Sequence, residues 1–274
     1  MNTISKVILY LILVKVVLVG ILCLTKKGYS HINYSKIIEP NVNILDEEFY
    51  FYIRGHIRNS FETDRLKNFV NKLKQEFPNI KFILQTWRNK ECKKGNSHKR
   101  IIESNTIITI DKIKDYFEDD DIVKNCIIID EDDIELIGNL EGKVSKSRAN
   151  IKGWKNMWYG INKGLEQINH HDRDKLVVNF RYDYFNIPQT VYNENQVINF
   201  IYKYLDNNKI NFIQTDGPPG IDNLYMGTVK DMKMLVKNFN TNLDNITKSK
   251  FNKNVVYQEE IVYNVADMMN NIFN

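Results

Sequence analysis

The chain has 274 residues, 43% of them hydrophobic and 12% aromatic, so it is globular and long enough to bury one large core or two small ones. Its 38 Lys and Arg against 34 Asp and Glu leave a formal charge of +4, mixed rather than massed, which does not suggest a nucleic-acid partner. The three cysteines, Cys23, Cys92 and Cys126, form neither a C-x-x-C pair nor a Cys/His cluster; no zinc site is expected, and unpaired thiols are the simpler reading over a Cys92–Cys126 bridge.

Val7 to Leu24 is an apolar run of bilayer-spanning length broken by Lys15. A central lysine costs roughly 2.5–3.5 kcal/mol on insertion scales, which the surrounding Leu, Ile and Val outweigh. Residues 1–24 therefore read as a single-pass membrane anchor, with a cleaved signal peptide as the alternative. Lys6 precedes the run and Lys26, Lys27 and Lys36 follow it, so the orientation is not specified. The sequons at Asn33 and Asn245 fit lumenal exposure. Residues 25–47, polar with Gly28 and Pro40, read as a stalk, and 48–274 as the functional domain.

Within that domain, Glu48 to Ile53 predicts a first strand. Phe61 to Phe77 predicts a helix with Leu66, Phe69, Val70, Leu73 and Phe77 on one face. Strands are expected at Lys81–Gln85, Thr106–Ile110, Cys126–Ile129, Lys175–Phe180 and Asn211–Gln214. Helices are expected from Gly153 to Ile168, with Trp154, Met157, Trp158 and Ile161 as core stripe, around Gln196–Leu205, from Val229 to Phe239, and from about Glu259. This alternation predicts an α/β fold, a sheet covered by helices on both faces, with ligands at the carboxyl ends of the strands.

The candidate functional residues fall at those ends. Arg54-Gly55-His56-Ile57-Arg58-Asn59 joins a strand to a helix, where guanidiniums and a close-approach glycine can meet an anion; the alternative is a tight basic turn capped by Asn59 or Ser60. It is neither a G-x-G-x-x-G fingerprint nor a P-loop. Arg181-Tyr182-Asp183 follows the apolar run Leu176–Val178 and offers a carboxylate for a divalent metal beside a fixed cation, or a plain ion pair. Asp130-Glu131-Asp132-Asp133 is the rival metal candidate, otherwise a solvated acidic loop. His170-His171-Asp172 at a helix end reads as a dipole contact. Asp222, in a Gly-containing segment after Pro218-Pro219, reads as a cleft wall, and Glu259-Glu260 heads the last helix.

The ordered series Gly55-His56-Ile57-Arg58, Gln85-Thr86-Trp87, a helix with Trp158 to Leu165, Phe180-Arg181-Tyr182-Asp183 and Asp222-Asn223-Leu224-Tyr225-Met226-Gly227 resembles GT-A-like glycosyltransferases. The nearest likeness is to the WavE-like lipopolysaccharide-synthesis group and related viral and bacterial sugar transferases, over Glu48 to the C-terminus. His56 stands where that group usually has Gln, and Gly153 takes the place of a common Gln.

The resemblance implies a Rossmann-like mixed sheet and transfer of a sugar from a nucleotide-sugar donor to a glycan or other hydroxyl acceptor. It also implies Mn²⁺ or Mg²⁺ on Asp183, for which the acidic run with Asp130 and Asp132 is the alternative site. It places Gly55 and Arg58 by the diphosphate, Thr86 and Trp87 by the base or ribose, and Asp222 by the transferred sugar or acceptor; His56 is counted with the nucleotide-sugar-binding residues, Arg181 or Arg58 adds fixed positive charge, and Asp222 or Glu259 is the candidate base. A nucleotide-binding pseudoenzyme and a membrane-tethered carbohydrate-binding module, with Trp87, Trp154 and Trp158 as surface platforms, are the other readings.

Overall fold

Strand β1 (Phe49–Arg54) is buried along its whole length, as expected of a central strand covered on both faces. In the computed structural model, which describes residues 47–92, 104, 106–187, 192–213, 221–250 and 252–272, β1 lies inside a six-stranded sheet ordered β3-β2-β1-β4-β6-β5. The partners are β2 (Ile80–Trp87), β3 (Cys126–Ile129), β4 (Leu176–Arg181), β5 (Asn211–Phe212) and β6 (Leu224–Thr228). Strands β3, β2, β1 and β4 run parallel, whereas β6 is antiparallel to both β4 and β5. The sheet is thus mixed and the fold α/β. All described residues belong to one unit, 38–274; the anchor, most of the stalk, Cys23 and the sequon at Asn33 lie outside them. Among the described residues no helix is long and apolar enough to cross a membrane.

The pleat of β1 divides the core. Phe49, Phe51 and Ile53 join a cluster with Phe69, Val70 and Leu73 of α1 (Arg65–Glu76), Ile113 and Phe117 of α2 (Ile110–Phe117), Ile122 of α3 (Asp120–Val123), and Val197 and Ile201 of α5 (Glu194–Tyr204). Tyr50 and Tyr52 point the other way, toward Trp158 and Ile161 of α4 (Ile151–Leu165), Met232 and Phe239 of α6 (Val229–Lys248), and Ile261 of α7 (Gln258–Ile272). Trp158 stacks on Phe239 with ring centroids 4.2 Å apart.

Helix α4 presses against the sheet through two glycines. A Cβ on Gly164 would lie 2.2 Å from the Tyr52 ring, and one on Gly160 would lie 3.0 Å from Trp87 Cζ2. Tyr52 is fully buried and donates its hydroxyl to the Gly160 carbonyl at 3.0 Å, so its ring cannot retreat. Gly164→Ala is expected to lose about 1–3 kcal/mol by overpacking, although alanine is favoured over glycine by ~1 kcal/mol in a helix interior. A urea midpoint lowered more by Gly164→Ala than by Gly160→Ala would show it; an unchanged midpoint would mean the helix is free to slide.

Three expectations need correction. Thr106–Ile110 is not a strand: one bridge joins Ile107 to Asn89, and Ile110 already opens α2. Thr109 accepts the Lys112 amide at 3.3 Å and Asp111 sits in the first turn, so capping outweighs the β-branched composition. Of the segment around Asp222 read as a cleft-wall loop, the part from Leu224 on is instead the buried strand β6. The first helix begins at Arg65 rather than Phe61, whose ring is drawn onto Tyr116 with centroids 3.9 Å apart.

Candidate functional site

Register brings the site together. Arg54, the last residue of β1, is level with Gln85 on β2 and with Arg181 on β4. At this carboxyl edge a cavity of about 580 Å³ opens on the α4 side of the sheet. Its walls include Arg54, Gly55, His56 and Arg58 after β1, Gln85 and Trp87 of β2, and Arg181 of β4. The N-terminal residues of α4, the turn at Asp222–Asn223, and Gln258 and Glu259 of α7 close it.

The cationic floor is ordered by hydrogen bonds. Buried Arg54 donates Nε to Asn179 Oδ1 at 3.1 Å and Nη2 to the carbonyl of Asp222, tying β1 and β4 to the turn before β6. Arg181 grips Asp183 with two parallel bonds, Nε to Oδ1 at 2.9 Å and Nη2 to Oδ2 at 2.8 Å, and donates Nη1 to Asn223 at 2.9 Å. Arg58 donates Nη1 to the same Asp183 at 2.5 Å. Burial pushes the Asp183 carboxyl up, but Arg181 and then Arg58 outweigh it and hold it below the ordinary range. Burial pulls the Arg181 guanidinium down, but Asp183 and Asp222 overcome that and leave it raised.

Backbone geometry serves the same edge. Gly55 has φ +97° with open space where a Cβ would stand, and its amide bonds to the Gln85 carbonyl at 3.1 Å. Arg58 is also left-handed, φ 52°, held by its amide on the Lys90 carbonyl at 3.0 Å. A non-glycine residue there carries strain that clusters at functional sites.

Burial and then Arg58 push the His56 imidazole down to about 3, so it is neutral. Its 3.0 Å contact with Glu131 is therefore a hydrogen bond from Nε2 rather than an ion pair. The ring stacks on Trp87 at 5.7 Å. In the same lining, burial and then the Asp222 carboxylate raise Glu259 to about 8. Gln258 donates to its Oε1 at 2.7 Å, while Oε2 is buried with no hydrogen-bond partner among the described residues. Gln85 Nε2, Trp154 Nε1 and Asn156 Oδ1, all on residues lining the cavity, are in the same condition. Such atoms call for a partner, which water or a ligand in the cavity would supply.

Sequence-selected Gly55, His56, Arg58, Trp87, Arg181, Asp222 and Glu259 all line this one cavity, and Asp183 supports it through Arg58 and Arg181. Thr86 does not: it is fully buried, its alternation in β2 turns it to the opposite face, and its hydroxyl reaches only the Trp87 carbonyl. Asp130 and Asp132 stand outside the lining, Asp130 pairing with Arg88 at 2.9 Å and accepting the Asp132 amide at 3.1 Å. Trp154, read as core only, packs on Phe239 and also lines the cavity. Trp87, Trp154 and Trp158 are all buried, so none is a surface platform. Cys92 and Cys126 are free thiols.

A divalent ion of the Mn²⁺ or Mg²⁺ kind needs at least one carboxylate oxygen free to take it, beside waters and substrate phosphates. Asp183 offers two oxygens, both bound to guanidiniums, and among the described residues no three His, Cys, Asp or Glu side chains converge. With both oxygens so engaged, Asp183 does not fit such an ion, and Asp130 and Asp132 lie outside the cavity lining.

No protein-family model, curated protein or solved structure matches this chain.

Proposed function

We propose that the chain is a glycosyltransferase moving a sugar from a nucleotide-sugar donor to a glycan or other hydroxyl acceptor, held at a membrane by residues 7–24. The observation that carries this reading is the cavity at the strand ends, whose lining brings Arg54, Arg58 and Arg181 together with Asp222 and Glu259. The guanidiniums suit a diphosphate and lie where negative charge grows as it leaves. The mixed sheet agrees with the architecture the resemblance implies. Trp87 and His56 form an aromatic wall suited to the base or ribose.

In an inverting reaction the acceptor oxygen bonds to the anomeric carbon as the carbon–oxygen bond to the diphosphate breaks. The electron pair leaves on the phosphate oxygen, and Glu259 or Asp222 takes the acceptor proton. A second reading, a pseudoenzyme that binds nucleotide without turnover, is favoured by one observation: Glu259, raised to about 8, is largely protonated at neutral pH and is then no base.

A panel of nucleotide sugars, tested for thermal stabilisation and for hydrolysis, decides between them. Stabilisation with turnover supports the transferase, stabilisation without turnover supports the pseudoenzyme, and neither removes both. Arg58→Lys, which keeps the charge and loses the fork, is expected to weaken nucleoside diphosphate binding by about 1–3 kcal/mol. Calorimetric titration showing equal affinity would reduce Arg58 to a turn residue.

A further inference from the structure

We infer that this cavity holds its anion with arginines alone, Asp183 acting as the counter-ion that sets Arg58 and Arg181 in place and not as the ligand of a divalent cation. This deepens the proposed function and rests on its diphosphate end. Asp183 is 4% exposed, and its two oxygens receive three guanidinium hydrogen bonds, two from Arg181 and one from Arg58. A cation brought to those oxygens would have to displace guanidiniums that already supply the charge it would bring. Its like charge would also lie beside both of them in a poorly solvated site.

The surroundings point the same way. Arg54, Arg58, Arg181, Lys146 and Arg148 line the cavity, against the carboxyls of Glu131, Asp222 and Glu259. Counting only the lining, five cations face three carboxyls; Asp183 and Glu91, which contact Arg58 from outside it, bring the carboxyls to five, so the placement of the guanidiniums and not a net charge suits the site to a diphosphate. The strained left-handed backbone at Arg58 presents that guanidinium to the cavity, while Arg54 braces the floor from behind through Asn179 and the Asp222 carbonyl. The guanidinium N–H groups that Asp183, Asn179 and Asn223 leave over can bind phosphate oxygens directly, with no intervening ion.

The test uses the full chain stripped of metal and inorganic pyrophosphate as probe, since pyrophosphate carries the anion without base or sugar. Its dissociation constant is measured by calorimetry in excess EDTA and again in Mg²⁺, with nucleoside diphosphates run beside it. The expected result is binding in EDTA no more than threefold weaker than in Mg²⁺, and at least tenfold weaker binding by Arg181→Gln. Should Arg181→Gln not fold, the more exposed Arg58→Gln serves for the same tenfold loss. Pyrophosphate that binds only with Mg²⁺, or not at all, overturns the inference, as does undiminished binding by the folded variants. Metal-free binding of pyrophosphate with no binding of any nucleoside diphosphate leaves the arginine site standing and removes the proposed donor.

Discussion

Asp183→Ala is expected to lower the unfolding free energy by about 3–5 kcal/mol, the range for breaking a buried ion pair by removing one partner. The carboxylate is almost inaccessible and neutralises two guanidiniums, so its loss strands Arg181 and Arg58 without a counter-charge. Arg181 keeps its bond to Asn223, and Arg58 keeps a 3.6 Å ion contact with Glu91, but neither replaces the parallel pair on Asp183. Urea denaturation at neutral pH measures the loss. The pH dependence supplies an independent reading. Because the folded carboxyl lies below its ordinary value of 3.8, the unfolded chain takes up this proton first as pH falls. The stabilisation is present above that value and is lost as pH drops through the lower folded one. Wild-type stability should therefore fall more steeply below about pH 4 than that of the alanine variant. Equal stability of the two proteins at pH 7 would mean that the guanidiniums find water instead.

How much of this was legible in the sequence depends on the range of the interaction. The strands β1, β2, β3 and β4 follow from buried apolar runs, and the position of Arg54, Arg181 and Trp87 at their carboxyl ends follows with them. Which strand ends become neighbours is a matter of order across the sheet, so the partners of Asp183 were only half visible. Arg181 is two residues away, whereas Arg58 arrives from 125 residues earlier because β1 and β4 pair. The same non-locality hid Asn179, whose side chain inside β4 holds Arg54, and the packing role of Gly160 and Gly164 against Tyr52 and Trp87. A Gly-x-x-x-Gly spacing on a helix was the available signal for that close approach. Thr86 shows the opposite failure, since motif order placed it in the site and strand alternation turned it away. Segment Leu224–Thr228 was misread because its Gly227 looked like loop chemistry; a Cβ there would stand 3.1 Å from Ile210, so the glycine serves packing within the sheet.

Glu259→Gln is expected to reduce transfer by about 10²- to 10⁴-fold, the usual contribution of a positioned general base, while leaving the cavity's shape intact. The residue stands in the first turn of α7 beside the Asp222 turn, with one oxygen fixed by Gln258 and the other buried without a hydrogen-bond partner among the described residues. Burial, followed by repulsion from Asp222, raises it to about 8, while its backbone hydrogen bond and Arg181 pull it down. As a base it works only when ionised, so kcat/KM should climb as pH rises through about 8 and level off above. The stability linked to this group has the opposite sign. The folded carboxyl keeps its proton where the unfolded one, near 4.5, has lost it, so the contribution is full below that value and is lost as pH rises through 8. The ionised form that catalyses is thus the form the fold disfavours, and glutamine should abolish both pH dependences together. A variant that loses the stability slope but keeps the wild-type rate would move the base to Asp222, whose conversion to asparagine should then remove transfer.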